Sequence, residues 1–198
     1  MDMIKKAKYI LICLMAVLCL AVVCGCSAGT EEAEEQAPIA EPAAEEAEFS
    51  DLTEFTAVTA DGEKITQDYF RDYDATIINI WATYCPPCIE EMPKLAELEK
   101  NRPDNIGMLL ICTDAFSDPD QMQALLDESG YEGINLIRGN GDFPALCKSV
   151  QVIPTTVFAD REGRLVGEPV IGQSMNPKMT YYKHINAYLK ETGLETVD

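Results

Sequence analysis

The sequence predicts an α/β fold with a central mixed β-sheet flanked by helices and an N-terminal β-hairpin. Short runs of β-branched and apolar residues alternate with runs whose apolar residues recur every three or four positions, as strands alternating with helices do. Gly-containing turns at residues 60–63 and 160–163 indicate hairpins at both ends of this alternation. With 198 residues, 47% of them apolar, the chain can form one well-cored domain with appendages.

The first predicted elements are a hairpin, a strand and a helix. Residues 55–59 and 64–66 are strand-like segments on either side of the first turn. The mostly β-branched run at residues 76–81 predicts a buried central strand, and residues 106–113 predict a second one. Between these strands, a helix carries one apolar stripe that we expect to pack on the sheet, formed by Ile89, Met92, Leu95 and Leu98.

Capping residues mark the next two helices. Asp118 followed by Pro119 is typical of an N-cap and a first helical residue. A short strand is expected at residues 135–138. Asp142 is then predicted to cap a helix that reaches Val150.

The chain closes with a hairpin and a helix. Residues 155–159 and 164–166 flank the second turn and predict two paired strands. Asn176 and Pro177 open a terminal helix that ends near Gly193. The predicted folded domain therefore covers residues 55–198.

The N-terminus has the pattern of a lipoprotein signal peptide over residues 1–25. Three lysines precede an apolar stretch at residues 9–23, which is short for a membrane span of about 20 residues. The stretch ends in Val-Cys-Gly-Cys, which resembles the bacterial lipobox and implies that Cys26 is lipidated, whereas Val23 makes Cys24 a poorer candidate. The alternative is an uncleaved membrane anchor. Both interpretations place the rest of the chain outside the cytoplasm, at a membrane.

The segment after Cys26, up to residue 54, is predicted to be an acidic disordered tether. It is rich in Glu, Ala, Thr and Pro and contains no Lys or Arg, so it cannot bury enough apolar surface to fold alone. The whole chain has a formal net charge of −19. This charge argues against nucleic acid as a partner.

The motif Cys85-Pro86-Pro87-Cys88, between a predicted strand and a predicted helix, indicates a redox-active dithiol. A thiol at a helix N-terminus lies near unsatisfied N–H groups and the positive end of the helix dipole, which favour the attacking thiolate. Pro86 and Pro87 have no N–H to donate, and the motif contains no His. We therefore expect a weakly stabilised Cys85 thiolate and a reductant or intermediate exchanger, since strong oxidants stabilise their reduced form heavily.

Three motifs give the sequence a family resemblance: Trp81-Ala82-Thr83-Tyr84-Cys85-Pro86-Pro87-Cys88, Glu91-Met92-Pro93 and Ile153-Pro154-Thr155-Thr156. Together they resemble the thioredoxin fold, and in particular the membrane-anchored TlpA/ResA-type thiol-disulfide oxidoreductases of the AhpC/TSA-Redoxin superfamily. The resemblance implies that Cys85 is the exposed nucleophile and Cys88 the buried resolving thiol. It also implies a cis peptide bond before Pro154.

The same resemblance suggests which residues surround a substrate and which accept protons. The candidate substrate-binding residues are Trp81, Tyr84, Pro86, Pro87, Ile153 and Pro154. Where thioredoxin has a buried Asp beneath its resolving Cys, this chain has Asn79, which cannot take up a proton. Glu91 matches an acid of the ResA-type branch and is a candidate proton acceptor for Cys88. The alternative for Glu91 is an exposed first-turn carboxylate favoured by the helix dipole.

Other uses of these cysteines fit the sequence less well. Zinc needs four ligands, whereas Cys112 and Cys147 are isolated and the chain has one His, so we expect no metal and no cofactor beyond the dithiol. Haem attachment needs a His where Ile89 stands, and peroxiredoxins have a Thr three residues before the reactive Cys, whereas Thr83 precedes Cys85 by two.

The state of Cys112 and Cys147 remains open among three possibilities. They form a disulfide with each other, act as a second redox pair, or are two buried free thiols. A rival for the whole protein is a non-catalytic lipoprotein binding module with a structural disulfide, although a two-residue spacing closes too small a loop to stabilise much. A disulfide-forming oxidant of the same fold is the other alternative.

The expected function is therefore thiol-disulfide exchange at the extracytoplasmic face of the bacterial membrane. The expected partners are an exported disulfide-containing protein, such as an apocytochrome or a methionine sulfoxide reductase, and a membrane thiol-electron transporter. Membrane lipid is a third expected partner, through Cys26.

Overall fold

A computed structural model describes residues 49–198 of the chain. The predicted signal peptide over residues 1–25, the lipidation site Cys26 and most of the predicted tether lie outside the described residues. Within the described part, no helix is long and apolar enough to cross a membrane.

Eight strands within residues 49–198 form two sheets. In chain order they are β1 (Phe55–Val58), β2 (Lys64–Thr66), β3 (Ala75–Trp81), β4 (Ile106–Cys112), β5 (Ile134–Leu136), β6 (Arg138–Gly141), β7 (Thr155–Ala159) and β8 (Val170–Ile171). The larger sheet has the order β5-β4-β3-β7-β8 and the smaller one the order β2-β1-β6. In the larger sheet β3 is parallel to β4 and antiparallel to β7, so the sheet is mixed as predicted.

Four α-helices accompany these strands. They are α1 (Pro86–Asn101), α2 (Pro119–Ser129), α3 (Phe143–Ser149) and α4 (Pro177–Thr192), and a 3-10 helix covers Gln67–Asp72. As predicted, the Asp118 side chain accepts a hydrogen bond from the third residue of its helix, and the Asn176 side chain does the same for α4. The terminal helix ends at Gly193, whose φ of 75° lies in the left-handed region that favours glycine.

The two central strands separate two apolar clusters. Every residue of β3 and β4 is buried. Alternate side chains of a strand point to opposite faces of its sheet. Accordingly, Ile77 joins the cluster that contains the buried residues of α1 and α4, whereas Ile78 joins the cluster of β1, the 3-10 helix and α3. The sheet is therefore covered on both faces. Three residues of the predicted α1 stripe pack as expected, namely Met92, Leu95 and Leu98, whereas Ile89 is half-buried and belongs to neither cluster.

The strand expected at residues 135–138 is in fact two strands. β5 extends the larger sheet beside β4, while β6 pairs with β1 and converts the predicted hairpin into a three-stranded sheet. β6 reads Arg-Gly-Asn-Gly and has no apolar residue, so hydrophobic patterning cannot reveal it. Its glycine is required at position 139, because a Cβ there would lie 2.8 Å from the Thr56 carbonyl oxygen of β1.

The closing hairpin also differs from the prediction. Residues 164–166 pair with the end of β7 through one bridge, from Leu165 to Ala159, and through backbone hydrogen bonds from Val166 to Phe158 and from Asp160 to Arg164. The strand that pairs with the start of β7 is β8. The Asp160 side chain accepts hydrogen bonds from the N–H groups of Glu162 and Arg164. These bonds satisfy the backbone of the turn without a longer ladder.

Asp142 precedes α3 as predicted, but its side chain does not cap the helix. Its Oδ2 instead accepts hydrogen bonds from the Glu54 N–H at 2.7 Å and from the Thr53 hydroxyl at 3.2 Å. The carboxylate therefore connects the start of α3 to the chain just before β1.

The packed region begins before the predicted boundary at residue 55. Leu52 is fully buried, its N–H donates to the Gly163 carbonyl oxygen at 2.8 Å, and the Asp51 side chain accepts from the Leu165 N–H. Leu52 is a single apolar residue among acidic ones, so composition alone assigns it to the tether. The end of the predicted tether is thus part of the folded unit.

Replacing Leu52 with Ala should lower the free energy of unfolding by about 2–5 kcal/mol, because the substitution leaves a cavity in a closed apolar site. Denaturant unfolding of the oxidised protein measures the change. Glu54→Ala is the matched control, since the Glu54 side chain is exposed. Equal stability of the two variants would mean that residue 52 does not belong to the core.

Candidate active site

The dithiol lies at the N-terminus of α1, directly after the central strand β3. Cys85 is the N-cap residue and forms a disulfide with Cys88, with a Cα–Cα distance of 5.3 Å. Pro86 and Pro87 occupy the first helical positions, where a missing N–H breaks no helical hydrogen bond. The N–H of Cys88 is the first that follows them, and it donates to the Cys85 Sγ at 3.3 Å.

Both cysteine residues of the disulfide are buried, Cys85 slightly less than Cys88. Cys85 is 5% exposed and Cys88 is 1% exposed. The openly exposed Cys85 thiol that the family resemblance implies is nevertheless absent from this disulfide form. Cys85 belongs to the same apolar cluster as Trp81 and Ala115, which explains its burial.

A carboxylate from outside the motif holds the loop before the dithiol. Asp114 accepts from the Thr83 N–H at 2.9 Å, from the Thr83 hydroxyl at 2.6 Å and from the Cys112 thiol at 3.2 Å. Burial opposes ionisation of Asp114, but the hydrogen bonds from Thr83 outweigh it and lower the pKa of this carboxyl. Asp114 therefore stays charged and fixes the position of the dithiol loop relative to the end of β4.

Pro154 follows a cis peptide bond, as the family resemblance implies. It immediately precedes β7, and β7 pairs with β3 so that Thr155 lies opposite Ile80. The cis-proline and the dithiol therefore lie at the same end of the sheet. The Pro154 carbonyl accepts from the Gly172 N–H at 2.8 Å, which attaches the segment after β8 to this end as well.

The candidate substrate-binding residues divide into exposed and buried ones. Tyr84 is 71% exposed, and Pro86 and Pro87 are exposed too, while Ile153 is half-buried. Trp81 is fully buried and its indole N–H donates to Asn135 Oδ1 at 2.9 Å. It therefore packs behind the dithiol and does not reach the substrate surface, which corrects its assignment as a substrate contact.

Glu91 is fully buried, so the alternative of an exposed first-turn carboxylate is wrong. Its Oε1 accepts from the Ser174 N–H at 2.9 Å and from the Tyr181 hydroxyl at 2.8 Å. Its Oε2 has no hydrogen-bond partner within residues 49–198. Burial raises the pKa of this carboxyl against the opposing effect of the two hydrogen bonds, because the charged form loses its water.

Comparison with known proteins agrees with this geometry. The family model described as Redoxin matches residues 41–170, more than half of the chain. The chain belongs to the Redoxin family. The solved structures described below support a thioredoxin-like fold.

Several relatives carry names that describe thiol chemistry. The thioredoxin-like protein YneN of Bacillus subtilis is 30% identical over 114 residues, which are 56% of this chain and 64% of that protein. The thiol:disulfide interchange protein HelX of Rhodobacter capsulatus is 30% identical over 48% of this chain and 52% of its own. The thiol-disulfide oxidoreductase ResA of Halalkalibacterium halodurans is 28% identical over 45% and 49%. The Redoxin chain therefore spans about half to two thirds of the length of these relatives.

Solved structures support the fold. StoA from Bacillus subtilis superposes with a TM-score of 0.51 at 17% identity, over 65% of this chain and 94% of StoA. The exposed lipoprotein thioredoxin Etrx1 of Streptococcus pneumoniae gives a TM-score of 0.53 at 20% identity, over 70% and 98%. The Redoxin chain thus has the thioredoxin-like architecture that its sequence predicts.

The two remaining cysteines of the Redoxin domain are free thiols. Cys112 lies in the apolar cluster beside α1, whereas Cys147 packs against the cluster on the opposite face of the sheet. A bridge between them and a second redox pair are therefore both incompatible with the fold. Burial raises the pKa of Cys112 to about 12 and that of Cys147 to about 11, so both are neutral and poorly nucleophilic.

Three residues that hold the Redoxin site were not selected from the sequence: Asp114, Ser174 and Tyr181. Asp114 follows a buried strand that ends beside the dithiol, and this position at a strand end is the one local signal that points to it. Ser174 and Tyr181 reach Glu91 only through the packing of α4 and the preceding loop on α1. Their roles have no local sequence signature.

Asp114→Asn should destabilise the folded protein at neutral pH. The folded-state pKa of Asp114 lies below its ordinary value of 3.8, so its contribution is fully present above 3.8 and is lost as the pH falls through the folded-state value. The stability difference between wild type and variant should therefore shrink on acidification below 3.8. Denaturant unfolding over a pH series measures it.

The control for this series is Asp104→Asn, which removes an exposed carboxylate outside the site. A constant difference between wild type and Asp114→Asn across the series would contradict the electrostatic role of Asp114.

Proposed function

We propose that this Redoxin chain is a thiol-disulfide exchange enzyme that reduces disulfides of exported proteins through Cys85. One observation carries the proposal. The Cys85–Cys88 disulfide begins a helix at the sheet end that also presents the cis-proline Pro154, and the buried acid Glu91 lies on the next turn of the same helix. A disulfide with a purely structural role would require neither a cis-proline nor a buried acid beside it.

The reaction balances as a two-electron transfer from the reduced dithiol. The Cys85 thiolate attacks the substrate disulfide, a mixed disulfide forms, and one substrate thiolate leaves. Cys88 gives its proton to Glu91, and the resulting thiolate attacks the Cys85 sulfur. The Cys85–Cys88 bond forms, the second substrate thiolate is released, and the two substrate thiolates take protons from water. The substrate is thereby reduced and the enzyme oxidised.

The prolines of the motif support reduction as the direction. Because Pro86 and Pro87 cannot donate, the Cys85 sulfur receives its hydrogen bond from the N–H of Cys88. A thiolate with few donors stabilises the reduced form only weakly, and a strong oxidant needs the opposite. A disulfide-forming oxidant would therefore lack the driving force that a strongly stabilised Cys85 thiolate provides.

Exposed apolar side chains around the dithiol suit a substrate with apolar residues beside its cysteines. The segments that converge on this end of the sheet carry Tyr84, Phe116, Val152, Ile171 and Met175, each more than half exposed. Such clustered exposed apolar groups are typical of protein-binding surfaces. The net charge of −19 disfavours strongly acidic partners.

The proposed location is the extracytoplasmic face of the bacterial membrane, with attachment through lipidated Cys26. Its support is the lipobox pattern, together with a structural neighbour that is itself described as an exposed lipoprotein. A membrane thiol-electron transporter would then supply the electrons that restore the dithiol.

A trapping experiment tests the exchange function. Cys88→Ala removes the resolving thiol, so mixed disulfides at Cys85 should accumulate and be identifiable by mass spectrometry after expression in the bacterial envelope. The matched control is Cys85→Ala, which retains Cys88 but should capture nothing. Absence of captured proteins, together with no reduction of insulin by the wild-type protein, would favour the non-catalytic binding module.

Glu91→Gln should slow exchange and stabilise the fold at the same time. Loss of a positioned proton acceptor should slow resolution of the mixed disulfide roughly 10²-fold at neutral pH. The pKa of Glu91 is raised above its ordinary value of 4.5, so the folded state loses stability as the pH rises from that value through the folded-state pKa. Gln avoids this loss because it does not ionise.

Stopped-flow resolution kinetics and denaturant unfolding at neutral pH measure the two effects. The control is Glu90→Gln, which changes the exposed neighbouring carboxylate. A Glu91→Gln variant that resolves mixed disulfides at the wild-type rate would remove Glu91 from the mechanism.

A further inference from the structure

A continuous series of hydrogen bonds crosses the domain from the central sheet to Glu91. The Asn79 side-chain nitrogen on β3 donates to the Thr156 hydroxyl on β7 at 2.9 Å. The Thr156 hydroxyl donates to the Tyr181 hydroxyl on α4 at 2.9 Å. Tyr181 in turn donates to Glu91 Oε1 on α1 at 2.8 Å. All four side chains are at least 99% buried, so water does not compete for these bonds.

The donors in this series all point toward Glu91. The Asn79 amide nitrogen can only donate, so the Thr156 oxygen accepts from it and directs its single proton to Tyr181. The Tyr181 oxygen is then an acceptor on that side, and its one proton is directed to Glu91. With the Ser174 N–H, Oε1 therefore receives two donors. Oε2 receives none from the described residues.

We propose that Tyr181 is a positioning residue for thiol-disulfide exchange, because it occupies Oε1 of Glu91 and leaves Oε2 as the oxygen that takes the proton from Cys88. This inference rests on the proposed role of Glu91 as proton acceptor. In the step, the Cys88 S–H bond breaks, the sulfur keeps the electron pair and an O–H bond forms at Oε2. Glu91 returns the proton to solvent after the new disulfide has formed.

Among residues 49–198, few charged or titratable groups act on the Glu91 carboxyl. On its own helix, Cys88 lies one turn before it, and the positive charge of Lys94 favours the ionised carboxyl. From α4 the facing titratable group is Tyr181, and the loop before α4 contributes the backbone N–H of Ser174. The sheet contributes Asn79 and Thr156, which do not titrate. Tyr181 is thus the hydrogen-bond donor to this carboxyl that a side-chain substitution can remove.

The test compares Tyr181→Phe with Tyr182→Phe. Both substitutions delete one hydroxyl from a buried tyrosine of α4, but the Tyr182 hydroxyl has no hydrogen-bond partner in the described part of the chain. Carbon-13 NMR of the labelled Glu91 carboxyl, titrated in the oxidised protein, reports the pKa directly and does not require activity.

Tyr181→Phe should raise the pKa of Glu91 by roughly one to two pH units, since a hydrogen bond to a charged group is lost. The pH dependence of resolution should move upward by the same amount. Tyr182→Phe should change neither the Glu91 titration nor the pH dependence of resolution. Coincident Glu91 titrations of Tyr181→Phe and wild type would overturn the proposal.

A second pair of variants tests the series one step further from Glu91. Thr156→Val removes the hydroxyl that directs Tyr181, so it should shift the Glu91 titration in the same direction, by less than Tyr181→Phe. Thr156→Ser keeps the hydroxyl and should give the wild-type titration. A purely steric role of Thr156 would have the opposite result, because Val keeps the shape of Thr and Ser lacks its methyl group, so a wild-type titration for Thr156→Val with a shifted one for Thr156→Ser would contradict the proposal.

The proposed function and the positioning role fail in different ways. If Cys88→Ala captures no protein and wild type reduces no disulfide, the exchange function fails, whatever the titrations show. If trapping succeeds but Tyr181→Phe behaves as Tyr182→Phe does, only the positioning role fails.

Discussion

A buried carboxyl is tolerated only where protein donors replace the water that it has lost. Around Glu91 these donors come from distant parts of the chain, the loop before α4 for Ser174 and α4 itself for Tyr181. Tyr181 is in turn oriented by Thr156 on β7. Helices α1 and α4 and the central sheet must therefore adopt one mutual arrangement to satisfy this single group. The same arrangement brings the dithiol and Pro154 to one end of the sheet.

The site holds two carboxyls whose surroundings move their pKa values in opposite directions. Asp114 accepts three hydrogen bonds from Thr83 and Cys112, which overcome its partial burial. Glu91 is fully buried, and one of its oxygens has no hydrogen-bond partner among residues 49–198, so the effect of burial on its pKa prevails. The same chemical group, a carboxyl, thus has two different roles because its surroundings differ. Asp114 remains a fixed charge that shapes the loop, while Glu91 is suited to take up and release a proton.

Local signals predict the dithiol and most strands and helices, because motif spacing, capping residues and apolar periodicity are readable over a few residues. The cis bond before Pro154 is implied by the family resemblance instead. The resemblance also points to Glu91, but not to its burial, which depends on a helix far along the chain. Local signals also do not reveal the strand at residues 138–141, whose glycines and polar residues pair through backbone groups only. Asp142 was expected as a helix cap and instead binds the segment before β1. In each case a tertiary contact outweighed the local pattern.

The burial of Leu52 also separates the start of the packed chain from the reactive end. Leu52 binds the turn that follows β7, through Gly163, whereas Pro154 precedes β7 and lies at the opposite end of the same strand. A five-residue strand separates these ends by roughly 17 Å. The described chain therefore enters the folded unit at the end of β7 that is remote from Pro154. A protein that docks at the Cys85 end of the sheet does not have to displace the buried Leu52 segment.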